Sequence, residues 1–185
     1  MQDCSKIVQK FSGQEDKAFF AIFDGHGGKE CASYCQQNFD KVLCSFLCQT
    51  FFKINKSIHL TFQKISSDFL SSCSKENVGA TATIIFIFIE YNCLSKASER
   101  ILCCANVGDS KAFLVNKSKT LTQITTDHTC NNEAEVQRIK HAKGRIFNGR
   151  VYGILNLTRT IGDKEMKNYG VSCVPDVKKI ILGIT

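Results

Sequence analysis

Residues 21–30, "AIFDGHGGKE", set Asp24 and His26 on a glycine-rich turn between an apolar run and an amphipathic segment. An aspartate at the end of a strand is rigidly aimed, and a neighbouring glycine lets a backbone carbonyl approach a ligand closely. A carboxylate plus a carbonyl is an all-oxygen donor pair suited to Mg²⁺ or Mn²⁺. A histidine beside such a pair can hold or donate a proton, and the start of the following helix offers backbone N–H groups to an anion. Taken alone, the five residues are equally compatible with a glycine-rich connector closed by an Asx turn.

Three further places carry polar groups able to do chemistry. Asp109 sits in "ANVGDSKAF", which by itself also reads as a hairpin turn. Asp127 and His128 in "TTDHT" directly precede a helical pattern, where capping is the plainer role. Arg159 and Asp163 in "LTRTIGD" combine a guanidinium able to pair bidentately with a carboxylate or phosphate and a second acid, or form an ordinary surface ion pair.

The 11 cysteines invite two other chemistries, and spacing rejects both. Cys31/Cys35 and Cys44/Cys48 are i,i+4 pairs, but at about 100° per residue Cys35 and Cys44 point to opposite sides of one continuous helix. Four thiolates there cannot converge on one zinc. No cysteine is followed by arginine six positions later, so the phosphate loop of a cysteine-based phosphatase is absent. With no apolar leader in "MQDCSKIVQKFSGQED", a reducing compartment and reduced core thiols are expected.

The elements that must position these groups follow from periodicity. "KAFFAIFD" reads as a buried strand ending at the glycine turn, with an earlier short strand around "CSKIVQKF". Ala32, Cys35, Phe39, Leu43 and Phe46 recur at helical steps from Gly28 onward, and "SIHLTFQKISSDFLSSC" repeats the pattern with Phe62, Ile65, Phe69 and Leu70 inward. The period then switches. "GATATIIFIFIE", "RILCCANVG" and "KAFLVN" read as three consecutive antiparallel strands. Helical spacing returns over 132–142, with Asn131 as N-cap and Gly144 as stop. Asn148-Gly149 is a strong hairpin signal, and "VPDVKKIIL" reads as a last strand. Hairpin-linked strands with helices between them argue for an α+β layered domain on antiparallel sheets.

Composition narrows the partners. The chain has 185 residues, 43% hydrophobic and 22% charged, enough for one domain with its own core. The longest apolar run, Ala80 to Ile89, falls short of the roughly 20 residues of a membrane span. The net charge of +7 is carried by dispersed lysines without interleaved aromatics, so neither membrane nor nucleic acid is an expected partner.

Read together and in order, "FFAIFDGHGG", "GATAT", "ANVGDSKA", "TTDHT" with "EVQRIKHAKGRI", "GRVYGILNLTRTIGD" and "GVSCVPDV" closely resemble the successive motifs of the metal-dependent protein phosphatase 2C family. The resemblance runs over essentially the whole chain. It implies a central antiparallel β-sandwich flanked by helical layers (α-β-β-α) with a centre for two Mg²⁺ or Mn²⁺ ions, and a third, weaker site. Asp24 would bridge two ions, Gly25 would lend its carbonyl, and His26 would be the general acid protonating the departing serine or threonine oxygen. Asp109 would help to hold the third ion, Asp3 would order metal-bound water, and Arg159 and Asp163 would support the site. Phosphoserine and phosphothreonine proteins are the implied partners, in the cytoplasm and/or nucleus.

Departures temper this expectation. Gln2 replaces a family glutamate, Cys130 stands where a proline usually follows two positions after Asp-His, and Lys143 interrupts a usual Ala-Gly-Gly. The family carries a strand and a phosphate-binding arginine before the position of Met1, and further metal-ligating aspartates beyond that of Thr185. Residues 1–185 thus read as a partial phosphatase domain, truncated at both ends, whose activity is expected to be weak or absent. The alternative is a non-catalytic pseudophosphatase that binds phosphoproteins or a partner. Incompletely covered sheets, including Ile84 to Ile89, would call for a capping partner.

Overall fold

The computed structural model describes residues 2–92 and 96–182. In chain order its strands and helices are β1 (Cys4–Val8), β2 (Ala18–Phe23), β3 (Gly25–His26), α1 (Glu30–Gln49), α2 (Ile54–Ser72), β4 (Gly79–Ala80), β5 (Ala82–Asn92), β6 (Ala97–Val107), β7 (Phe113–Val115) and β8 (Leu121–Gln123). The series continues with α3 (Glu133–His141), β9 (Ile146–Phe147), β10 (Arg150–Val151), β11 (Ile161–Gly162), α4 (Lys164–Lys167) and β12 (Asp176–Leu182).

A five-stranded antiparallel sheet, ordered β1-β2-β5-β6-β12, is the frame. Side chains alternate across it. Phe19, Ala21 and Phe23 of β2, Ile84 and Phe86 of β5 and Ile101, Cys103 and Ala105 of β6 point to one face and are buried under α1 and α2. The i,i+4 spacing of Cys35, Phe39, Leu43 and Leu47 lays one apolar stripe of α1 on that face, all four fully or almost fully buried. Phe39 is at the centre, its ring 5.7 Å from that of Phe23 and 5.0 Å from that of Phe62 on α2. A smaller cluster of Ile139, Val151, Met166 and Val171 packs beneath α3.

The α+β class and the antiparallel pairing are as the sequence implies, with three local corrections. The segment "KAFLVN" does not extend the sheet beside β6: β7 pairs only with β8, in a separate hairpin, and β12 occupies that edge. The chain breaks away because Gly108 turns at a φ of 99° and Ser110 is tied back to β5, its carbonyl accepting Thr83 Oγ1–H at 3.1 Å. The cap of α3 is Asn132, whose side chain accepts the Ala134 N–H at 3.1 Å, not Asn131. Within Ile84 to Ile89 the period of two divides the residues: Ile84, Phe86 and Phe88 are buried against the helices, Ile85 and Ile87 are half-buried on the other face, and Ile89 is exposed. That other face is covered in part by Leu114 and Ile124, while Ile7 and Ile22 are open to solvent.

Ten free cysteines are described, and Cys93 lies outside the described residues. Cys31 and Cys35 face the core, whereas Cys44 is half-buried and Cys48 exposed, so the two pairs diverge around α1. Burial pushes the Cys103 thiol up to about 12 and the Cys104 thiol up to about 11. Among the described residues no helix is long and apolar enough to cross a membrane.

Candidate active site

Asp24 leaves the end of β2 with its backbone clamped by Thr81. The Thr81 N–H donates to Asp24 O at 2.9 Å, and the Asp24 N–H donates to Thr81 Oγ1 at 3.4 Å. The next two residues are β3, which pairs with β4 in the register Gly25↔Ala80 and His26↔Gly79. On its other side β4 pairs with β11 through Ala80↔Ile161 and Gly79↔Gly162. This narrow three-stranded sheet carries His26 to Asp163, the residue that follows β11.

His26 Nε2 lies 2.9 and 2.8 Å from the two carboxylate oxygens of Asp163. The Asp163 side chain is 3% exposed and that of His26 30%, so the acid is the buried anchor and the ring reaches the opening. Asp163 adopts a left-handed backbone (φ 51°), a conformation that aspartate tolerates better than most residues, and its N–H donates to Val78 O at 2.9 Å. The pair needs glycine beneath it. A β-carbon on Gly79 would stand 2.2 Å from Asp163 Oδ2 and 2.6 Å from His26 Nε2.

Asp109 reaches the same cleft from the turn after β6. Ser110 Oγ lies 2.7 Å from Thr81 Oγ1, so the threonine that clamps Asp24 also anchors the Asp109 turn. Together Asp24, His26, Asp109, Asp163 and Arg150 line a cleft of about 400 Å³. Asp3, just before β1, is near enough to act on the charge of Asp24. Partial burial pushes the Asp24 carboxyl up, and the carboxylates of Asp3 and Asp109 push it further, with His26 acting in the opposite sense. Crowded carboxylates of this kind are short of positive charge, and an oxygen-only donor set fits a hard divalent cation. The set is sparse: among the described residues no three His, Cys, Asp or Glu side chains converge as a metal cage.

Arg159 lies outside this cleft. It forms an ion network, with Nη2 2.6 Å from Glu135 Oε1 and Nη1 2.8 Å from Asp176 Oδ1. Burial raises the Glu135 carboxyl, but hydrogen bonds from Arg159, Arg138 and Thr158 outweigh it and hold the group at about 2. Asp127 pairs with Lys111 at 2.7 Å on the surface. Residue-by-residue reading of the sequence passed over Arg150 and the double duty of Thr81. Arg150 follows the Asn148-Gly149 turn, whose left-handed φ values of 50° and 70° fold β9 onto β10 and aim the guanidinium's strand at the cleft.

The model of the family described as Protein phosphatase 2C matches residues 1–183. Protein phosphatase 2C homolog 1 of Schizosaccharomyces pombe is 29% identical over 168 residues, covering 90% of this chain and 47% of its own length. Integrin-linked kinase-associated serine/threonine phosphatase 2C of Mus musculus is 30% identical over 176 residues, covering 88% of this chain and 42% of its own. The chain thus spans about half the length, or less, of these curated relatives. Among solved structures, the serine-threonine phosphatase 2C of Toxoplasma gondii superposes with a TM-score of 0.81 at 16% identity, over 98% of this chain and 69% of that one, which speaks for the fold. The ordered motifs, the fold and the family match converge, and the chain belongs to the protein phosphatase 2C family.

Proposed function

We propose that the chain is part of a Mg²⁺- or Mn²⁺-dependent protein serine/threonine phosphatase, acting on phosphoserine and phosphothreonine proteins in the cytoplasm or nucleus. The observation that carries this reading is the placement of His26, backed by buried Asp163, in one cleft with Asp24 and Asp109. Asp24 and the Gly25 carbonyl would hold the divalent ions, with Asp109 at a weaker third site and Asp3 acting through water. When bound, such ions supply positive charge to the phosphoryl oxygens and raise the acidity of nearby water.

The chain's own residues account for the rest. A serine or threonine alkoxide is a poor leaving group, and a positioned proton donor is worth on the order of 10² to 10⁴ in rate. Asp163 accepts the Nε2–H of His26 and fixes the ring, leaving Nδ1 as the nitrogen for the departing oxygen. Arg150 is the guanidinium lining the cleft and offers a partner for the substrate phosphate. The exposure of Ile7 and Ile22 on the second sheet face supports the reading that a partner caps the sheet.

A second reading, a pseudophosphatase that binds phosphoproteins without turnover, is favoured by the lack of a three-ligand cage among the described residues. The same sparseness predicts weak metal affinity and slow turnover under the first reading. Phosphate release from a phosphothreonine peptide separates the two. Slow, Mn²⁺-dependent release that is lost in His26→Ala supports the phosphatase; stable phosphopeptide binding without release supports the pseudophosphatase.

A further inference from the structure

His128 is fully buried, and the proposed chemistry does not use it. Its backbone N–H donates to Gly108 O at 3.0 Å, and the Gly108 N–H donates back to His128 Nδ1 at 3.2 Å. Gly108 immediately precedes Asp109. A backbone N–H can only donate, so Nδ1 carries no proton and the ring, neutral, keeps its one proton on Nε2. That nitrogen faces Asp176 Oδ2 at 3.2 Å, off the line of a well-aligned hydrogen bond. Asp176 is itself held by Arg159, and Arg159 by Glu135.

Gly108 has nowhere else to go. Its φ of 99° excludes most side chains, a β-carbon there would lie 2.5 Å from Thr81 Cγ2, and its carbonyl also accepts Asn106 Nδ2–H at 3.1 Å. The ring of His128 is the acceptor that closes this arrangement on the N–H side.

We infer that His128 is a positioning residue for Asp109: its Nδ1, accepting the Gly108 N–H, sets the turn that presents the Asp109 carboxylate to the cleft. The inference rests on the cleft being the functional site. The role asks for an acceptor at the Nδ1 position, which a mere space-filling role would not.

Two substitutions separate these roles. His128→Asn places an oxygen near the position of Nδ1, and His128→Leu fills space without an acceptor. In His128→Leu the Gly108 amide should exchange with solvent at least about tenfold faster, and Mn²⁺ affinity should fall about tenfold, the range typical of groups that orient metal ligands. His128→Asn should restore both to within about threefold of wild type, the acceptor being what an N–H requires. Equal behaviour of the two variants, or a protected Gly108 amide in His128→Leu, overturns the inference. Should neither variant fold, nitrogen-15 spectra of the wild-type histidines still decide: the Nε2–H tautomer of His128 is expected, and a proton on Nδ1 overturns it. Neither exchange nor tautomer depends on turnover, so failure of the phosphatase reading remains distinguishable from failure of this one.

Discussion

His26 and Asp163 are 137 positions apart, yet Nε2 of one lies 2.8 Å from Oδ2 of the other. The contact exists because β3, β4 and β11, each of two residues, stack their ends at one edge of the core. If the ring is a proton donor, its buried carboxylate fixes which nitrogen faces substrate. Asp163→Asn should therefore lower the kcat of Mn²⁺-dependent phosphopeptide hydrolysis by about 10- to 100-fold, with KM little changed. Gly79→Ala should have the same effect by a different route, since its β-carbon would collide with both partners. Steady-state kinetics of the two variants check this.

Glu135 gives a pH dependence of stability. Its carboxyl is held at about 2 against an ordinary value of 4.5, so its contribution is complete above pH 4.5 and is lost as pH falls toward 2. Melting temperature should decline through that window. Glu135→Gln removes the carboxylate that Arg159 and Arg138 share, leaving Arg159 with the carboxylate of Asp176 alone, and should cost about 3–5 kcal/mol at neutral pH, while flattening the acid limb. Thermal melts from pH 2 to 7 on both proteins measure it.

The helix–sheet interface turns on Phe39, fully buried between Phe19, Phe23 and Phe62. Phe39→Ala should cost about 3–5 kcal/mol, read as a lower urea midpoint with an unchanged slope.

Thiol reactivity should follow burial. Among the described cysteines, Cys48, exposed on α1, should label first with a thiol reagent near pH 8, whereas Cys31, Cys35, Cys103 and Cys104 should label only on unfolding. Mass mapping of early adducts reads the order.

Much of this was legible in the sequence because the signals are local. The alternation in "IIFIFI" and the three- and four-residue steps from Ala32 to Phe46 locate β5 and α1, and Asp24 and His26 announce themselves by sitting on a glycine turn. What was not legible depends on distant contacts. The edge beside β6 goes to β12, some 70 residues later, since Gly108 diverts the intervening chain, and a strand pattern in "KAFLVN" cannot show that. Asp163 and Arg159 look alike as polar groups in "LTRTIGD", but only the fold sends one to His26 and the other to Glu135. Arg150 gave a weaker hint, its place just after Asn148-Gly149.

The most direct measurement is phosphate release from a phosphothreonine peptide, with and without Mn²⁺, by this chain and by Asp24→Asn. The metal-dependent reading predicts slow release that requires Mn²⁺ and falls at least about tenfold in Asp24→Asn, because Asp24 is the carboxylate around which the site is built. Release indifferent to Mn²⁺ or to Asp24→Asn, or stable binding of the peptide by folded protein without release, would contradict it.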